Sequence, residues 1–173
     1  MSGSLNWGME QIGPGYDAVW HYTNDVTCVP DILRKLACFL QGRFPGGDPG
    51  LAAVQPSMPS WHTHLNPRPE QGWRYVAYLE WAAVLVNMAA WDDVGPLDEG
   101  FNFFAMDIDW CHRAREKGWK VAVDYYVRCG HPWRGTHNVT DFDIDEQAAI
   151  EYEYGMGKYG REDWQKLLMG EAE

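Results

Sequence analysis

The side chains that could do chemistry stand where apolar segments end. Asp25 closes a run of strand formers, Asp17-Ala-Val-Trp-His-Tyr22, through Thr23-Asn24. A carboxylate at a strand's end suits a hard divalent cation, because Mg²⁺ and Mn²⁺ take oxygen donors and share them with substrate phosphates. Asn24-Asp25 is also ordinary turn chemistry. Asp107 and Asp109 open a segment of helical pattern, where one can cap and the other sit in the first turn, both favoured by the helix dipole. A carboxylate held there and aimed into a pocket can equally take a proton from a hydroxyl. His131 follows an apolar strand through Gly130, and its imidazole can ligate a metal or serve structure alone. In the polar loop after it, Arg134 and Thr136 can bind phosphate oxygens, and Trp133 can stack on the apolar face of a sugar ring. His62 and His64 stand at period-two spacing without a third ligand nearby, and read as exposed or substrate-contacting.

The elements that must position these groups alternate along the chain. The strand at 17–22 is followed by a helix introduced by Pro30 and Asp31, with Ile32, Leu33, Leu36, Phe39 and Leu40 at helical spacing and Gly42 as its stop. A Gly/Pro loop at 45–50 precedes a short buried strand at 51–55, and the proline-rich stretch 56–72 reads as an exposed excursion. Residues 73–86 are strand-like, 87–94 form a short helix closed by Gly95-Pro96, and an aromatic run from Phe101 to Phe104 leads into a helix over about 107–117. Two apolar strands are expected at 119–124 and 126–129, then helices in the acidic stretch from Asp141 and at 161–169. This alternation implies an α/β fold with a mixed sheet, whose strand ends and helix starts are where such sheets bind ligands.

Composition narrows the function classes. The 173 residues make about one domain's worth, with 14 basic against 25 acidic side chains and a net charge of −11. So acidic a surface repels phosphate backbones and anionic lipid, which argues against a nucleic-acid or membrane-surface binder. A metal held by carboxylates still reverses the local sign for a small phosphorylated ligand. No apolar run is long enough for a membrane span, and MSGSLNWGMEQ lacks the pattern of a secretory signal, so a cytoplasmic location is expected. Cys28, Cys38, Cys111 and Cys129 have no CxxC spacing and read as core thiols rather than zinc ligands. Of the ten tryptophans, Trp73, Trp81, Trp91 and Trp110 are core candidates, while Trp61 and Trp133 lie in loops.

Taken in order, four blocks resemble family-2 glycosyltransferases of the GT-A fold. The segment from Asp17 to Asp25, followed by Pro30-Asp31-Ile-Leu, is similar to the strand, DXD-like site and next helix of that family. Ala82-Ala-Val-Leu-Val with Trp91-Asp-Asp-Val-Gly95-Pro-Leu-Asp98-Glu-Gly-Phe101 resembles its "vGxfDexff" segment. Met106-Asp107-Ile-Asp109-Trp-Cys-His-Arg113-Ala-Arg-Glu-Lys-Gly118 resembles "EDxDxxxRxxxxG", and Val127-Arg-Cys-Gly-His131 the strand and histidine that follow. The resemblance spans about residues 5–137 and implies a GT-A-like (Rossmann-like) mixed sheet flanked by helices, within a single partial domain over 1–173 that ends in a helical segment at 141–173.

The activity implied is metal-dependent, inverting transfer of a sugar from a nucleotide-sugar donor to a carbohydrate or other hydroxyl acceptor. Asp107 would be the catalytic base, Asn24 and Asp25 would face the cofactor, Asp25 and His131 would bind Mn²⁺ or Mg²⁺, and Asp109, Trp133, Arg134 and Thr136 would contact substrate. Thr23 stands where the first acid of DXD is usual, and Met106 replaces the Glu of the ED pair. The family's opening strand-helix-strand unit, which holds the nucleotide, has no counterpart, and Leu5-Asn-Trp-Gly-Met9 resembles the helix after it. The expectation is therefore an N-terminally truncated domain with an open sheet edge, self-associating or completed by a partner chain. The rival is a non-catalytic module of the same fold that binds carbohydrate, nucleotide or a partner.

Overall fold

The structure, a computed structural model, describes residues 1–43, 47–60, 62–131 and 143–170. In chain order it runs through helix α1 (Ser2–Ile12), strands β1 (Ala18–Tyr22) and β2 (Thr27–Cys28), helix α2 (Ile32–Leu40) and strands β3 (Leu51–Ser57), β4 (Trp73–Tyr75) and β5 (Ala83–Asn87). Helices α3 (Met88–Val94) and α4 (Met106–Glu116), strand β6 (Lys120–Gly130) and helices α5 (Ile144–Tyr159) and α6 (Arg161–Met169) complete it. One curled sheet has the order β1-β5-β3-β6-β2, with β4 also on β6. Only β3 and β6 are parallel, so the sheet is mixed, as the alternation of elements implied. The observed class is thus α/β, a mixed sheet flanked by helices.

The pleat sorts the apolar residues of the central strands onto two faces. Ala53, Val84, Val86, Val121 and Val123 face α3, α4 and α6 in one core, while Val54, Ala83, Leu85 and Ala122 face α2 in the other. The first core is aromatic. Trp81, Trp91 and Trp110 pack with ring centroids 5.5–6.0 Å apart, and Phe101 stacks on Trp164 at 5.3 Å. The core assignment of Trp81, Trp91 and Trp110 therefore holds, and Trp61 and Trp133 lie outside the described residues.

Three expectations need revision. The stretch 73–86 is not one strand, because β4 lies on the outer edge of β6 and β5 lies beyond β3. Between them residues 76–82 cross the aromatic core, burying Tyr78, Leu79 and Trp81. Conversely, the strands expected at 119–124 and 126–129 are one strand, β6, with an irregularity against β3 between Asp124 and Arg128. There Asp124 accepts a hydrogen bond from the Tyr126 N–H, and the Ser57 hydroxyl donates to the Val127 carbonyl, so the interruption is a bulge. The excursion 56–72 is half regular, with single helical turns at Thr63–Leu65 and Pro69–Gln71, and Leu65 is fully buried. Among the described residues β1 pairs only with β5, leaving its outer backbone edge open, and no helix is long and apolar enough to cross a membrane.

Candidate active site

Strand direction brings the chemistry to one end of the sheet. β1, β3 and β6 all finish there, and β5, antiparallel to β1 and β3, begins there. The turn after β1 carries Thr23, Asn24 and Asp25, the last residue before β5 but two is Glu80, and His131 directly follows β6. Helix α4 adds Asp107 in its first turn. Its entry is built by two devices. The Glu151 carboxylate, 1% exposed on α5, accepts hydrogen bonds from the N–H groups of Phe103 and Phe104, both at 2.7 Å. Ala105 then adopts a left-handed φ of 54°, costly for a residue with a Cβ, and turns the chain sharply into α4.

The groups so assembled form a cluster of carboxylates around one imidazole. The Thr23 hydroxyl donates to Asp25 Oδ1 at 2.6 Å, and Asp25 Oδ2 lies 3.7 Å from His131 Nε2. On its other side His131 Nδ1 is 3.9 Å from Glu80 Oε1, beyond hydrogen-bonding reach. His131 Nδ1 and Glu80 Oε2 are buried and have no hydrogen-bond partner among the described residues. Glu80 is fixed through its backbone, whose N–H donates to Oε1 of the fully buried Gln55 at 2.7 Å.

Asp107 lies in the field of Glu80. Removal from water and, secondarily, that neighbouring carboxylate push the Asp107 carboxyl up to about 7, against hydrogen bonds from the Ile108 and Trp81 N–H groups that favour its ionised form. Tyr78 belongs to the same cluster. Its hydroxyl meets His62 Nδ1 at 3.0 Å, its carbonyl meets His64 Nε2 at 3.1 Å, and burial with the Asp107 and Glu80 charges pushes the phenol up to about 12. Burial lowers the pKa of both histidines, that of His64 to about 4, so both imidazoles are neutral near pH 7.

Of the residues singled out from sequence, Asp25 and His131 come together here, Asn24 sits in the same turn, and Asp107 reaches them only through the charge of Glu80. Asp109 does not join them. It is fully buried, with Oδ2 accepting from Arg113 Nε at 2.8 Å and Oδ1 from Lys158 Nζ and the Tyr159 hydroxyl, each at 2.5 Å. Lys158 also donates to Asp98 at 2.6 Å, so Asp98 and Asp109 anchor α5 to the body of the fold. A carboxylate with both oxygens engaged and no exposed surface has no means of contacting substrate, which corrects that expectation. Trp133, Arg134 and Thr136 lie outside the described residues. Glu80 and Tyr78 were missed, although an acid in the otherwise apolar run Tyr78-Leu-Glu-Trp-Ala-Ala-Val-Leu-Val was a usable signal.

Among the described residues no three His, Cys, Asp or Glu side chains converge closely enough to hold a metal ion between them. Mg²⁺-like ions, however, commonly take one or two protein donors and leave the remaining positions to water and phosphate oxygens. Asp25 and His131, 3.7 Å apart, offer one carboxylate and one imidazole. Two surface cavities, of about 310 and 410 Å³, lie around the other end of β1 beside Asp17, Asn87 and Trp91, away from this cluster. No protein-family model and no curated protein sequence matches the chain.

Proposed function

We propose that this chain is a GT-A-like glycosyltransferase domain that moves a sugar from a nucleotide-sugar donor to a hydroxyl acceptor with inversion at the anomeric carbon. The observation that carries the reading is Asp107, a carboxylate held at a helix start beside a second acid, with its proton affinity raised to about 7. A base of that strength operates near neutral pH, where it combines sufficient ionised population with real driving force for proton removal. Asp107 would take the acceptor hydroxyl proton as the oxygen attacks the anomeric carbon and the bond to the diphosphate breaks. Burial and, secondarily, the Glu80 charge keep its affinity high.

Asp25 and His131 are the residues that would hold a divalent cation. Bound there, Mn²⁺ or Mg²⁺ would neutralise charge developing on the leaving diphosphate. With a net charge of −11, the protein needs such a sign reversal before it can bind a polyanionic donor. The deciding experiment is calorimetric titration with UDP, GDP and UDP-sugars, with and without Mn²⁺, followed by turnover assays of Asp107→Asn. Metal-dependent binding that Asp25→Ala abolishes, and turnover that Asp107→Asn abolishes without unfolding, would support the reading. Metal-independent binding, or turnover surviving Asp107→Asn, would refute the metal or base role respectively.

One observation favours the rival, a non-catalytic binding module of the same fold. Thr23 stands where a first acid is expected and spends its hydroxyl on Asp25 Oδ1, leaving that turn a single carboxylate. Under this reading a nucleotide or sugar binds but no transfer occurs with any donor.

A further inference from the structure

Two of the four cysteines, far apart in sequence, face each other across a strand pair beside the candidate site. Cys28 on β2 and Cys129 on β6 are directly opposite in the antiparallel register, and their sulfurs stand 3.3 Å apart as free thiols. Residues so placed have Cα atoms roughly 4.5–5.5 Å apart. That lies inside the window of about 4.4–6.8 Å which a disulfide spans, so the bond needs only a small side-chain adjustment. The two thiols differ in access, Cys28 being exposed and Cys129 only 5% exposed.

Their position gives the pair a consequence. Cys28 is three residues beyond Asp25, and Cys129 is two residues before His131. Among the described residues, the pairing of β2 with β6 is the only sheet pairing that joins the Asp25 turn to the end of β6, and it comprises two residue pairs. Its other pair, Thr27 with Gly130, depends on the glycine, since a Cβ at 130 would come within 2.5 Å of Thr27 Oγ1. So short a ladder is easily opened, and local opening separates the two walls of the site.

We propose that Cys28 and Cys129 form a redox-sensitive thiol pair that closes to a cross-strand disulfide and locks the Asp25 turn against the end of β6. The oxidant is a low-molecular-weight disulfide such as oxidised glutathione. The Cys28 thiolate attacks one sulfur of that disulfide, forming a mixed disulfide and releasing one glutathione thiolate. The Cys129 thiol, giving up its proton to solvent, then attacks the Cys28 sulfur and displaces the second glutathione as its thiolate. The protein loses two protons and two electrons, and one oxidised glutathione becomes two reduced molecules. Exposure makes Cys28 the point of entry, and the register supplies the resolving thiol. Nothing in this step depends on the glycosyltransferase reading.

The test treats the full chain with graded ratios of oxidised to reduced glutathione and reads intact mass, peptide cross-links and backbone hydrogen exchange. The expected result is a mass lower by about 2 Da from the two hydrogens lost, a single Cys28–Cys129 cross-link, and slower exchange over residues 23–28 relative to the reduced protein. Cys28→Ser is expected to remove all three effects while folding normally, since that side chain is exposed. A lasting glutathione adduct on Cys28, a link between two chains, or a different cysteine pair would each overturn the assignment. A Cys28–Cys129 bond that leaves exchange over 23–28 unchanged would overturn the locking role.

Discussion

Asp107→Asn is expected to stabilise the fold at alkaline pH while removing the base on which the proposed transfer depends. The Asp107 carboxyl is carried from 3.8 to about 7 in the folded protein. A group whose native pKa lies above its unfolded one binds its proton more tightly when folded, so its ionisation costs nothing below 3.8. The cost grows as pH rises and is complete above about 7. At about 1.36 kcal/mol for each tenfold in proton affinity, the full penalty is about 4 kcal/mol. The side chain is partly exposed, and solvent screening lowers that figure to about 2–4 kcal/mol. Asparagine keeps the shape, and its Oδ1 can still accept from the Ile108 N–H that lies 2.9 Å from the carboxylate. For a chain of this size about 1 kcal/mol moves the melting temperature by roughly 2–4 °C. Thermal denaturation should therefore give a variant melting roughly 5–15 °C above wild type at about pH 8.5 and level with it at about pH 4. Equal melting temperatures at both values, or an equal difference at both, would show that Asp107 carries no raised affinity and would remove the argument for it as a base.

Three further outcomes follow from other parts of the structure. Asp109→Ala should cost about 3 kcal/mol in urea unfolding, because it removes the fully buried carboxylate that accepts from Arg113, Lys158 and Tyr159 and leaves Lys158 with Asp98 alone; nucleotide affinity of the folded variant should be unchanged, and a selective loss of binding would restore a substrate role to Asp109. His64 is held neutral down to about 4, so its contribution to stability is present above 6.5 and lost as pH falls through that interval. His64→Gln should flatten this acid limb by up to about 3 kcal/mol, read by urea midpoints across the range, and an unchanged limb would refute the burial. Within α5, a Cβ at Gly155 would lie 2.2 Å from the Trp164 ring, whereas one at Gly157 meets nothing within 4 Å. Gly155→Ala should thus destabilise by about 1–3 kcal/mol and Gly157→Ala stabilise by about 0.5–1 kcal/mol, a sign difference that thermal melting resolves.

What the sequence determined by itself was local. Helix α2 is legible because Ile32, Leu36, Phe39 and Leu40 recur on one face and are the residues buried there, and α3 because Asn87 caps it and Gly95 ends it. The strand at 18–22 and the start of α4 announce themselves through a run of strand formers and an acidic first turn, and so place Asp25 and Asp107 at element ends. These features depend on residues within a turn or two of each other. Tertiary structure decided everything that depends on pairing at long range. It split 73–86 because β4 and β5 bind opposite sides of the β3–β6 pair, which no period within the segment encodes. It sent Asp107 toward Glu80 and Asp109 toward Lys158, two carboxylates separated by one residue on a helix and therefore aimed in different directions. It raised the proton affinity of one by burial beside a like charge and engaged both oxygens of the other. It also brought Cys28 to Cys129, a contact set by strand register across about a hundred residues rather than by cysteine spacing. Residue type names what a side chain can do, and the packing around it decides which of those things the folded protein leaves it free to do.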